Sequence, residues 1–275
     1  MNKNVINNYS KLKPSLFYLP AFLLVALVLF LCAQDALSGD KYIQIQKDSF
    51  FFMNDQLGQY PNIQYNLTQL GDEEIFLSFL SIFIIYAPEI WESLISVSLV
   101  TVIFSSGLKK IFHVPRPAEV FDENSFVIVG KTLHGHNSLP SGHSITVFAI
   151  LTVLLFAFMP QQLKYKILWS FFILVMGLIL VFTRVGVGAH YPLDVILGSV
   201  IGYISGLIGI FINQRYKIWT WVSIKKYYPI FILLILIAGI TLINKIVNEN
   251  LIIFYLALFS LFVPFYKMMY ALAKK

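Results

Sequence analysis

Charge is the first thing this chain has little of. Only 12% of its residues are charged, against 58% hydrophobic, and its mean hydropathy is +0.75. Soluble domains carry about 25% charged residues, so half the usual charged surface is missing and a bilayer is the expected solvent. Cysteine is scarcer still. Cys32 stands alone, which excludes an intrachain disulfide. No soluble domain fits between the apolar runs: the longest interval, about Asp35 to Tyr65, is too short and too lightly apolar to fold alone. Repeats of solenoid type and low-complexity tracts are also lacking. The net charge of +6 raises nucleic acid as a partner, but the placement of the charges fits membrane orientation better.

What the chain has in abundance is apolar runs near the ~20 residues that span a bilayer. Eight are expected as spans: about Ser15–Gln34, Asn66–Tyr86, Ile90–Leu108, Ser144–Met159, Ile167–Thr183, Pro192–Ile212, Tyr228–Ile243 and Leu251–Tyr266. The first is too long for a cleaved signal core and reads as an uncleaved anchor. The fold expected is all-α, a polytopic transmembrane bundle. Residues 1–14 read as a cytoplasmic tail, 15–212 as a membrane-embedded core, and 213–275 as a cytoplasmic loop followed by two additional spans.

With the N-terminus inside, twelve of the 20 lysines and arginines fall on the cytoplasmic side, as the positive-inside rule favours. All five histidines then lie in or beside outer loops. The stretch Tyr42 to Met53 mixes Ile and Phe with Gln, Lys and Asp. It reads as an amphipathic segment on the outer surface, or else as a loop capping the bundle.

Three short constellations stand at outer span ends. The first is Lys109-x6-Arg116-Pro117. Such cations ordinarily snorkel to the interface, but their clustering on the outer face runs against positive-inside. A phosphate dianion explains them: arginine grips two oxygens and lysine supplies a point charge. The second is Pro140-Ser141-Gly142-His143 at the start of a span. Ser141 is a plausible N-cap, the free N–H groups form an anion site, and His143 can pass a proton. A plain Ser-capped helix with an interfacial histidine is the simpler alternative for this tetrapeptide alone. The third is Thr183-Arg184-x5-His190-x3-Asp194. A neutral imidazole is a good phosphoryl acceptor once a partner fixes its tautomer, and Asp194 is within reach if the Tyr191-Pro192 turn is tight. Read singly, His190 is an interfacial histidine and Asp194 an acid in a first helical turn. Gly198, Gly202 and Gly206 follow at intervals of four, a small-residue stripe suited to close helix packing or to an oligomer contact.

Together and in this order, the three constellations resemble the signature of the type 2 phosphatidic acid phosphatase (PAP2) superfamily, in particular its integral-membrane lipid phosphatases. The resemblance covers about Leu67 to Ile212. Thr183 departs from the serine usual before the arginine, although a hydroxyl is kept. The resemblance implies that His190 is the nucleophile forming a phosphohistidine, that Asp194 orients it, and that His143 protonates the leaving oxygen and then activates water. Lys109, Arg116, Arg184, Ser141 and Gly142 would hold the phosphate. No cofactor and no metal are implied. His134-Gly-His136 with Glu119, Asp122 and Glu123 fits no standard ligand spacing and reads as a polar lid.

The partners expected are a membrane lipid phosphate and the bilayer itself, without nucleic acid. The substrate class spans undecaprenyl diphosphate, phosphatidylglycerol phosphate, phosphatidic acid and lipid A phosphates. The expected location is a bacterial inner membrane with the site facing outward. A lipid phosphotransferase using the same intermediate, and a lipid transporter that merely holds a headgroup, are the competing functions.

Overall fold

The computed structural model describes residues 1–274, and all their regular structure is helical. In chain order the helices are α1 (Asn2–Tyr9), α2 (Tyr18–Ala33), α3 (Gly39–Gln44), α4 (Lys47–Gly58), α5 (Pro61–Thr68), α6 (Glu73–Leu80), α7 (Phe83–Tyr86), α8 (Pro88–Phe112), α9 (Pro117–Val120), α10 (Gly142–Ala157), α11 (Leu163–Gly186), α12 (Pro192–Tyr216), α13 (Tyr228–Glu249) and α14 (Ile252–Ala273). Among the described residues, six helical stretches are long and apolar enough to cross a membrane: Pro14–Ala33, Pro88–Val120, Leu163–Gly186, Pro192–Tyr216, Lys225–Glu249 and Ile252–Ala273. The shorter α10 is apolar as well. Seven of the eight expected spans therefore exist as helices.

The remaining one, expected at Asn66–Tyr86, is broken. A 3-10 turn at Gln69–Gly71 separates α5 from α6, and the Asp72 side chain caps α6 by accepting from the Glu74 N–H at 3.0 Å. The acids behind this break have partners on neighbouring helices. Lys245 of α13 donates to Asp72 at 2.6 Å, Thr241 to Glu74, and Ser98 of α8 to Glu73. Three successive acids are too costly for a lipid-facing span, and the segment serves instead as a wedge between α8 and the C-terminal pair.

The N-terminal residues pack on the bundle: α1 buries Val5 and Tyr9, and the Asn8 amide donates to the carbonyls of Ala157 and Met159, closing the end of α10. The Tyr42–Met53 stretch lies in α3 and α4 and buries Tyr42, Ile43, Gln46 and Phe50. Of the two readings it takes the cap, packed inward over the bundle.

Helix α12 is the axis of the bundle. Its glycine face lies against α10: a Cβ added at Gly198 would come 2.7 Å from the Ser141 carbonyl oxygen, and one at Gly206 would come 2.6 Å from the Thr152 Cβ. The stripe thus serves contact within the chain. Gly206→Val should lower the unfolding midpoint in detergent, with an overpacking cost of about 1–3 kcal/mol, while a substitution at exposed Gly107, where a Cβ meets nothing within 4 Å, should leave it unchanged.

Candidate active site

Helix α8 ends at His113, whose left-handed conformation (φ 47°) turns the chain out of the helix. Lys109 lies in the last turn before this stop. Its Nζ sits 3.4 Å from where a Cβ on Gly142 would stand, so the ammonium faces the N-terminus of α10. Arg116 follows in extended conformation between two prolines, which disfavour helix there. It is held from three sides. Its N–H donates to the Gly135 carbonyl at 3.0 Å, its Nε to Asn137 Oδ1 at 2.7 Å, and its Nη1 to the Ala189 carbonyl at 3.1 Å. The loop carrying His134 and His136 is therefore what grips Arg116. That loop is fastened in turn by His134, 3.4 Å from both Glu119 and Glu123, and by stacking of His136 on His113.

Ser141 is the N-cap of α10, its Oγ accepting from the Ser144 N–H at 3.4 Å, and its own N–H donates to the Asp194 carbonyl at 3.1 Å. The first turn of α10 is thus pinned to the first turn of α12, and its unpaired N–H end opens toward Lys109. His143 is partly buried and packs against Gly71, where an added Cβ would lie 2.6 Å from the histidine's own Cβ. The turn that broke the expected second span is what lets the backbone approach His143 so closely.

Arg184 is buried near the end of α11. Its Nη1 donates to Thr68 Oγ1 at 2.8 Å, and its Nε is buried without a partner among the described residues. Buried donors are nearly always satisfied, so this one is available to a ligand. The chain then turns back on itself, the N–H groups of Ala189 and His190 both donating to the Arg184 carbonyl. This turn delivers His190, 1% exposed, beside Arg116. Arg116 Nη1 is 3.4 Å from His190 Nε2. A guanidinium has only donors, so Nε2 is the acceptor and the ring proton sits on Nδ1. That atom faces Asp194 Oδ2 at 3.5 Å and Ser138 Oγ at 3.4 Å.

Asp194, fully buried, is the most heavily partnered group of the site. Tyr42 OH donates to one oxygen at 2.7 Å; Ser138 Oγ and the Tyr191 N–H donate to the other at 2.6 and 3.0 Å. Burial and the adjacent carboxylate push the Tyr42 hydroxyl well above the ordinary phenol range, which keeps it a donor. Lys109, Arg116, Ser141, Gly142, His143, Arg184, His190 and Asp194 are all brought to one end of the bundle. His143 and Arg184 share a pocket of about 190 Å³, lined also by Tyr65, Thr68 and Gln69.

Four contributors were not picked out from sequence: Tyr42, Thr68, Asn137 and Ser138. Asn137 and Ser138 stand within four residues of Pro140-Ser141, and that proximity was the available signal. Tyr42 and Thr68 gave none, because they reach the site from the cap.

Burial, and then the cations Arg116, Arg184 and Lys109 together with His143, hold the His190 imidazole well below its ordinary range. The ring is neutral at physiological pH. In the unfolded chain it takes up a proton near pH 6.5, which the folded chain resists, so the stability difference is fully present above that value and declines as pH falls below it. The unfolding midpoint in detergent should drop between pH 7 and pH 5, and His190→Gln, which cannot titrate, should show a shallower drop.

A multi-span helical bundle thus gathers two arginines, a lysine and two histidines at one end. Residues 91–219 match the sequence model of the PAP2 superfamily. Among solved structures, Aquifex aeolicus LpxE is similar, with 25% identity and a TM-score of 0.50 over 61% of this chain and 95% of that one. A comparison with curated proteins gives no match.

Proposed function

We propose that this protein hydrolyses a lipid phosphate or diphosphate monoester at the outer membrane face through a phosphohistidine. The observation that carries the reading is the imidazole of His190: neutral, protonated on Nδ1 toward Asp194, with its Nε2 lone pair directed among the cations. Nε2 attacks phosphorus as the bond to the lipid oxygen breaks, and His143, which burial and the cations keep neutral until the phosphate dianion offsets them and it takes up a proton, supplies the proton that oxygen takes. Water then attacks the phosphohistidine, giving its proton to His143; phosphate leaves and Nε2 regains its lone pair. Arg116, Arg184, Lys109 and the α10 N-terminus at Ser141 and Gly142 hold the non-bridging oxygens throughout. Preorganised donors of this kind supply the charge stabilisation and positioning that phosphoryl transfer needs.

The lipid class follows from placement. The phosphate-holding groups stand at span ends, where a headgroup lies at the surface while its tail stays in hydrocarbon. The lysine and arginine distribution supports the outward orientation, and the match of residues 91–219 to the PAP2 model supports phosphatase chemistry.

Purified protein should release phosphate from at least one of undecaprenyl diphosphate, phosphatidylglycerol phosphate, phosphatidic acid and lipid A phosphate, without added acceptor. Turnover should persist in excess chelator, and vanadate should inhibit. No release from any of the four, or strict dependence on an added divalent ion, would overturn the scheme.

A further inference from the structure

A second cavity lies away from the histidines. It is a groove of about 760 Å³ between α2, α10, α11 and α12, and it shares no lining residue with the His143–Arg184 pocket. Its walls are apolar along the spans, with Leu19, Leu174, Phe148 and Tyr203 among them. From Lys166 to Phe182 it follows α11 for about 24 Å at 1.5 Å per residue, most of the ~30 Å hydrocarbon thickness. Helix α2 forms its outer wall while standing off from the bundle: Leu19, Phe22 and Leu29 are 66%, 66% and 63% exposed. In a bilayer such a slot between helices is filled by hydrocarbon, because an empty one forfeits dispersion contacts.

The two ends of the groove differ. The end near Phe182 and Ile196 is apolar, whereas the opposite end carries Lys11, Lys13 and Lys166 with the amides of Asn8 and Gln161. Lys11 donates to Gln161 Oε1 at 3.0 Å. Among the described residues, none of the three lysines is within ion-pair distance of a carboxylate. An apolar channel of acyl-chain length that ends in three unneutralised ammonium groups and two amides is complementary to one kind of molecule.

We propose that this groove binds an anionic glycerophospholipid of the leaflet opposite the histidine cluster. Its phosphate headgroup lies among Lys11, Lys13 and Lys166, and one acyl chain runs between α2 and α11. The site is independent of the catalytic reading, since a lipid here has its headgroup at the other membrane face.

The test is native mass spectrometry of the full-length protein in detergent, exposed to equal amounts of phosphatidylglycerol and phosphatidylcholine. Phosphatidylglycerol should be retained preferentially. The K11Q/K13Q/K166Q variant should lose that preference, by about fivefold for each lysine removed, while still releasing phosphate from its substrate. Ser170→Trp, which places an indole in the groove, should reduce retention of both lipids. Equal retention of the two lipids by the wild-type protein, or an unchanged preference in the triple variant, would overturn the proposal. A raised KM for the lipid substrate in Ser170→Trp with phosphatidylglycerol retention intact would assign the groove to the substrate tail and overturn it too. So would a dimer that Ser170→Trp dissociates, which would make the groove a contact between copies.

Discussion

His190→Ala should abolish phosphate release, by ~10⁴-fold or more, while the protein still inserts and folds. The ring is almost wholly enclosed, 1% exposed, yet it belongs to no span, lying in the turn between α11 and α12. Its loss removes a side chain from the site and leaves the glycine contact between α10 and α12 untouched. The variant should therefore elute from gel filtration like the wild type and still bind vanadate through Arg116, Arg184 and Lys109. Wild-type protein quenched in mid-turnover should carry an acid-labile phosphoryl group, and the variant should carry none. Full turnover by purified His190→Ala would remove the nucleophile assignment and, with it, the two-step scheme.

Asp194→Asn should be nearly as damaging. Both carboxylate oxygens are occupied by donors from Tyr42, Ser138 and the Tyr191 N–H, so none faces the phosphate. An asparagine presents an NH2 where one of these donors points. It also removes the charge that fixes the Nδ1 proton of His190 and stabilises the ring as it gains positive character. The expected loss is on the order of 10³–10⁴-fold in kcat, with KM little changed because the three cations remain. Ser138→Ala removes one donor and should cost on the order of tenfold, the equivalent of one hydrogen bond to a charged group. An Asp194→Asn enzyme within tenfold of wild-type kcat would show that the carboxylate is a structural cap only. Asp194 does hold such a structural role, completing a capping box with Tyr191, so a lowered unfolding midpoint is expected alongside the kinetic loss and does not replace it.

Hydropathy and charge alone determined a good deal about this protein. In a chain so poor in charge, each buried-side cation or histidine is conspicuous, which is why Lys109, Arg116, His143, Arg184, His190 and Asp194 could be singled out. Spans α2, α8 and α10 to α14 were likewise legible, because bilayer insertion depends on the apolar content of each run taken by itself. The failures have the opposite physics. Residues Asn66–Tyr86 read as a span by average hydropathy, but Asp72, Glu73 and Glu74 find partners in Lys245, Ser98 and Thr241, up to 173 positions away. Tyr42 meets Asp194 across 152 positions, and Thr68 meets Arg184 across 116. A hydrogen bond has no sequence period, so nothing near Tyr42 or Thr68 marks them as members of the site. The sequence by itself marked seven of the eight helical runs and the cations and histidines that gather at one end of the bundle. Only the tertiary structure decided how the cap folds inward, which nitrogen of His190 faces Arg116 and which faces Asp194, and that a lysine-ended groove exists on the far side, because each of these depends on distances between helices that no local pattern encodes.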